Sequence, residues 1–141
     1  MNDGTADTTV PRLRVLLVED QALVAMEFGA MLEELGCTVV GPCATVASAL
    51  ELIRTQPIDG AVLDVTLVNE ESFPIAARLQ ILRVPFFFVT GISSSTFPAA
   101  FRQSASLAKP VQVHAFAAQV NAFRTAMAAG LPACTAERSR S

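Results

Sequence analysis

Histidine is nearly absent from this 141-residue chain, where His114 stands alone. A metal site built on several imidazoles is thereby excluded, and so is a Ser-His-Asp triad with any other base. Three cysteines, Cys37, Cys43 and Cys134, match neither the ligand spacing of a zinc site nor a redox Cys-x-x-Cys, and are expected as free reduced thiols. No apolar stretch reaches the roughly 18 residues that a bilayer span requires. The start, Met1 to Pro11, carries Asp3 and Asp7 and has neither a basic region nor an apolar centre, unlike a secretory leader. A cytoplasmic location without membrane contact is the resulting expectation. Charge is also scarce: 16% of residues are charged, with a net charge of −3, against 52% hydrophobic. That balance excludes a disordered chain and offers no bulk attraction to nucleic acid or anionic lipid.

What the chain does have is a succession of short apolar runs. Leu13 to Val18 is rich in branched residues and stops at Glu19-Asp20, which predicts a buried strand. From Gln21 to Leu35, the positions Val24, Phe28, Met31, Leu32 and Leu35 recur at three and four residues, the face of a helix that Gly36 ends. Thr38 to Gly41, closed by Pro42, predicts a second strand. Thr45 suits the cap of a helix from Val46 to about Gln56, with Pro57 just beyond it. Ala61 to Asp64 is a third strand, Thr66 to Glu71 a polar loop, and Ile75, Ala76, Leu79 and Leu82 mark the next helix. Pro85 opens a fourth strand whose phenylalanines, Phe86, Phe87 and Phe88, are expected in the core. Ser93 to Arg102 contains three serines and Pro98, so any helix there should be short or mobile. Ser104 to Ala108 makes a weak fifth strand. Val113, Phe116, Ala117, Val120, Phe123 and Met127 line a last helix that Gly130 terminates.

Five strands alternating with about five helices predict an α/β fold with a doubly wound, five-stranded parallel sheet, since parallel neighbours cannot be joined by a tight turn. One domain over residues 12–129 is expected, with 1–11 and 130–141 as disordered tails. In such folds the carboxyl ends of the strands converge on one cleft. Glu19 and Asp20 end the first strand, Asp64 the third, Thr90 the fourth and Lys109 the fifth. A lone Asp at a strand end is more often a helix cap, and most lysines are merely solvated. Here the polar residues end four different apolar strands, and that joint placement carries the argument. Three carboxylates in one cleft repel unless a cation offsets them. A hard divalent ion with oxygen ligands, Mg²⁺, fits, and it leaves coordination positions for phosphate oxygens. With the metal on Asp20 and Asp64, Asp64 can present its other oxygen as an in-line nucleophile for a phosphoryl group. Thr90 can hydrogen-bond, and Lys109 can neutralise, the developing charge.

These residues resemble the response-regulator receiver family: Glu19-Asp20, Leu63-Asp64-Val65, Thr90-Gly91 and Lys109-Pro110, each after its own strand, over about Leu13 to Ala128. The resemblance implies the flavodoxin-like (βα)5 receiver fold, with Asp64 as phosphoacceptor and Asp20 as a direct Mg²⁺ ligand. It further implies Glu19 as a ligand through water and the backbone carbonyl of Thr66 as another ligand. Thr90 and Lys109 would contact the phosphoryl group and couple its arrival to movement. A sensor histidine kinase or phosphotransfer protein would be the donor, and the only catalysis would be of the domain's own phosphorylation and dephosphorylation. Many receivers place an aromatic switch residue three positions before the lysine; here that position is Ser106. Pro85-Phe86-Phe87-Phe88-Val89-Thr90-Gly91 is similar to the motif Pro-Phe-x-Phe-Ala-Thr-Gly of the single-domain subgroup nicknamed FAT GUY, which also lacks that aromatic. Ser72-Phe73-Pro74 looks like the same subgroup.

The function expected is that of a single-domain response regulator in a two-component phosphorelay, signalling by protein contact or acting as a phosphate sink. It is expected as a monomer or weak dimer without an output domain for nucleic acid. The alternative is a non-phosphorylated scaffold that keeps the receiver shape. A metal-dependent phosphohydrolase would want a second general acid two residues past the nucleophile, where Thr66 stands. His114, beside Val113 near the start of the last helix, lacks the helical surroundings of a phosphorelay histidine. The run from Ser93 to Thr96 is a candidate for a segment that orders on phosphorylation.

Overall fold

A computed structural model describes residues 12–130. The expected tails fall almost wholly on 1–11 and 131–141, outside the described residues, as does Cys134. The five strands are β1 (Leu13–Val18), β2 (Cys37–Cys43), β3 (Gly60–Asp64), β4 (Phe86–Thr90) and β5 (Ser106–Ala108). They form one parallel sheet in the order β2-β1-β3-β4-β5. The helices are α1 (Ala22–Glu34), α2 (Val46–Thr55), α3 (Phe73–Leu82) and α4 (Val113–Thr125). This is the doubly wound arrangement that the apolar strands and helical crossovers predict. Among the described residues no helix is long and apolar enough to cross a membrane.

Both faces of the sheet are covered, so the alternation along each strand feeds two separate cores. Phe87 points to one side, with Phe116 and Phe123 of α4 at ring-centroid distances of 5.5 and 5.7 Å. Phe88 points to the other and meets Phe73 of α3 at 5.5 Å and Phe97 at 5.3 Å. The triple phenylalanine is therefore core, with Phe86 half-buried at its edge. Thr45 caps α2 as the sequence suggests: its Oγ1 accepts from the Ser48 N–H at 3.1 Å. Gly60 is required by packing, because a Cβ there would stand 2.5 Å from the Phe123 ring.

The structure departs from the sequence reading in five places. β2 runs on through Gly41-Pro42 to Cys43, longer than the expected Thr38 to Gly41. Gly41 makes this possible at φ +104, where a side chain would also press on the Leu17 carbonyl at 3.0 Å. The loop after β3 is a small antiparallel hairpin that pairs Thr66 with Glu71 and Leu67 with Glu70. The crossover from β4 to β5 has no α-helix: two 3-10 turns, Ser94–Thr96 and Ala99–Phe101, take its place, leaving four α-helices among the described residues. The serines explain this, because Ser93 Oγ accepts from the Ser95 N–H and Thr96 Oγ1 donates to the Ser93 carbonyl, spending backbone groups that a helix would need. Phe97 and Phe101 nonetheless anchor the segment against Phe73, at 5.2 and 5.4 Å. Last, β5 starts at Ser106 instead of Ser104, and α4 gives way to a π-turn over Ala126–Gly130.

Candidate functional site

The acidic residues come together because β1 and β3 are adjacent and end at the same level. Val18 pairs with Leu63, so Glu19 and Asp20 leave β1 beside Asp64. Ligand oxygens of Glu19, Asp20 and Asp64 lie within 4.8 Å of one another. Glu19 is held from behind by β2, its N–H donating to the Cys43 carbonyl at 2.9 Å. Its Oε2 accepts from the Gln21 N–H at 3.1 Å, which sets the carboxylate against the first turn of α1. Lys109 reaches over from the end of β5, with Nζ 3.1 Å from Asp64 Oδ2 and 3.4 Å from Glu19 Oε1.

Glu19 and Asp64 are both buried, at 3% and 5% exposure, and the burial has an electrostatic consequence. Loss of water, a hydrogen bond shared with Asp64 and the Asp64 charge push the Glu19 carboxyl up to about 7, against the pull of Gln21 and Lys109. For Lys109, burial pulls the pKa down, but Asp64 and Glu19 outweigh it and the ammonium is held above its ordinary value. One lysine therefore does not offset three gathered carboxylates. The donor set is all oxygen, from hard ligands, and short of positive charge, which fits Mg²⁺.

Two expected contributors are placed differently. Thr90 is buried at the end of β4, and its Oγ1 accepts from the Ile92 N–H at 3.0 Å, so in this state the hydroxyl serves its own strand end. Its carbonyl accepts from the Lys109 N–H at 2.9 Å, which joins the two strand ends that carry them. Thr66 has an exposed side chain, and its N–H donates to Asp64 Oδ1 at 3.3 Å. Ser106 is half-buried opposite Phe88 and leaves no aromatic three residues before Lys109. Two contacts escape sequence reasoning. Glu70 of the hairpin accepts from the Val46 N–H at 2.9 Å, tying the loop after Asp64 to the start of α2 across 24 residues. The Thr90–Ile92 contact was foreseeable, since Thr commonly bonds backbone two residues on.

Solved structures with the same fold include a CheY-like response-regulator receiver domain from Methylobacillus flagellatus, with a TM-score of 0.69, 21% identity and coverage of 79% of this chain and 98% of that one. The receiver domain of the response regulator PhyR from Erythrobacter litoralis gives a TM-score of 0.74 at 19% identity, covering 83% and 93%. SdrG from Sphingomonas melonis Fr1 is 38% identical, with a TM-score of 0.70, over 79% of this chain and 96% of SdrG. The chain belongs to the response-regulator receiver family. Receivers are signalling domains rather than conventional enzymes, so this one has its role in two-component signalling, a setting in which receivers work with histidine kinases or phosphotransfer proteins. No family model matches the receiver. Among curated proteins it is 31% identical over 104 residues to the transcriptional regulatory protein PdtaR of Mycobacterium tuberculosis, covering 73% of this chain and 50% of PdtaR. The receiver thus spans half the length of that relative.

Proposed function

We propose that residues 12–129 form a receiver that takes a phosphoryl group onto Asp64 from the phosphohistidine of a sensor histidine kinase or phosphotransfer protein. The observation that carries this reading is the placement of Lys109 Nζ 3.1 Å from Asp64 Oδ2, within a cluster of three carboxylates. In the transfer an Asp64 oxygen forms the new bond to phosphorus while the phosphorus–nitrogen bond to the donor imidazole breaks. Asp20, Asp64, the Thr66 carbonyl and, through water, Glu19 would hold Mg²⁺, which when bound would supply charge neutralisation for the phosphoryl oxygens. Lys109 pairs with the phosphoryl charge in place of part of its pairing with Asp64. Thr90 keeps an O–H to donate while its oxygen accepts from Ile92. The domain catalyses its own phosphorylation and dephosphorylation and no other reaction. The Pro85–Gly91 motif supports membership of the FAT GUY subgroup. The output is contact with a protein partner or drainage of phosphate from the relay, in the cytoplasm beside the donor.

Incubation with a small phosphodonor and Mg²⁺ tests the reading. One hydroxylamine-labile adduct per chain is expected, absent in Asp64→Asn and absent when Mg²⁺ is chelated. Multiple turnover points to a phosphohydrolase. No adduct with wild-type protein points to the scaffold alternative and ends the proposal.

A further inference from the structure

Ser72 carries a buried side-chain oxygen for which the described residues provide no hydrogen-bond partner. It is fully buried, at 0% exposure. Its place directly before α3 makes this unexpected, because a serine there ordinarily accepts from the amides of the first turn, and Ser72 does not. The main chain at Ser72 is fully used. Its N–H donates to the Val65 carbonyl at 2.9 Å, and its own carbonyl accepts from Ile75 and Ala76 at 2.9 and 3.2 Å. The backbone is locked while the hydroxyl is unsatisfied. A desolvated, unpaired hydroxyl raises the free energy of the conformation that leaves it so, and favours any conformation that gives it a partner.

We propose that Ser72 is a positioning residue of the phosphoacceptor loop, its buried hydroxyl gaining a hydrogen bond only when Asp64 is phosphorylated and so biasing the domain toward that state. The inference rests on the phosphoacceptor reading above. The loop between Asp64 and Ser72 connects the two mechanically. Thr66 N–H ties the hairpin to Asp64 Oδ1 at 3.3 Å, and the rungs Thr66–Glu71 and Leu67–Glu70 carry the chain back to Ser72. Val65 donates to the Val89 carbonyl at 3.1 Å and accepts from Ser72, so Ser72 is linked through one residue to the strand that ends in Thr90. A phosphoryl group on Asp64 changes what Thr66 N–H meets. The hairpin must then resettle against Ser72, whose main chain stays with α3.

Thermal melting with and without Mg²⁺ and beryllofluoride, on wild type, Ser72→Ala, Ser72→Cys and Asp64→Asn, tests the inference. Unmodified Ser72→Ala is expected to melt higher than wild type, by roughly 3–5 °C. Its half-saturating beryllofluoride concentration is expected to rise about tenfold, because the differential contact is lost from the liganded state. Ser72→Cys, with a weak thiol donor of similar shape, should fall between the two on both measures. A residue needed only for packing would give the opposite sign on the unmodified melt. If Ser72→Ala melts at or below wild type, or binds beryllofluoride equally well, the inference is wrong. If wild type itself gives no shift beyond that of Asp64→Asn, the phosphoacceptor reading fails and the inference goes with it.

Discussion

Lys109 is the only lysine in the chain, and its place at the end of a short edge strand gives it two carboxylate partners, Asp64 and Glu19. That singularity makes it directly measurable. Reductive methylation with a ¹³C label should give one side-chain resonance, distinct from the amino terminus, that titrates above the ordinary lysine value of 10.5. In Asp64→Asn, which removes the nearer charge at 3.1 Å, the titration should move down. A resonance that titrates normally in wild type, or is indifferent to Asp64, would show that the ion pair does not form in solution. At this scale the sequence was unusually readable. Glu19, Asp20, Asp64, Thr90 and Lys109 each interrupt an apolar run at its last position, so strand ends could be named before any strand was seen. The partner of Glu70 could not be named in the same way. Glu70 meets Val46 only because a hairpin folds back over the start of α2, and no spacing in the chain encodes that approach.

Among the elements, helices α1, α2 and α4 were legible from their three-and-four spacing, and β1, β3 and β4 from unbroken apolar runs. The hairpin after Asp64 was not, since two-residue strands bury a single side chain, Leu67, and leave no periodicity to read. The crossover from β4 to β5 was legible only as a weak helix: serines and Pro98 marked the weakness, while the pinning by Phe97 and Phe101 depends on Phe73, more than twenty residues away. One element contact offers a sharp test. β3 and α4 approach so closely at Gly60 that a methyl group would lie 2.5 to 2.8 Å from three atoms of the Phe123 ring. The ring is 2% exposed and lies tilted against Phe87, with centroids 5.7 Å apart, so it has little room to yield. Gly60→Ala should therefore destabilise the fold by about 1–3 kcal/mol through overpacking, read as a lower urea midpoint at unchanged slope. An unchanged midpoint would mean that α4 rides loosely on the sheet.

For the whole molecule, the gathered carboxylates set stability against function. Glu19 has a folded-state pKa of about 7 against an unfolded value near 4.5, so between those limits the native state holds a proton that the unfolded state has released. Stability from this group is therefore greatest at low pH and is lost as pH rises through that window, in Mg²⁺-free buffer. The drop is on the order of 3 kcal/mol, from the size of the shift. Lys109 does not confuse the measurement, because its raised pKa loses stability only at pH above the ordinary lysine range. Mg²⁺ should reverse the trend, since an ion bound to the ionised cluster stabilises the native state by mass action and competes with the Glu19 proton. The expected result is a melting temperature that falls between pH 5 and 8 without the metal, a flatter profile in Glu19→Gln, and a Mg²⁺-induced rise larger at pH 8 than at pH 5.5. Equal slopes for wild type and Glu19→Gln would locate the pH dependence elsewhere. A metal effect independent of pH would mean that the ion does not displace this proton, and the cluster would then lose its link between charge repulsion and phosphoryl chemistry.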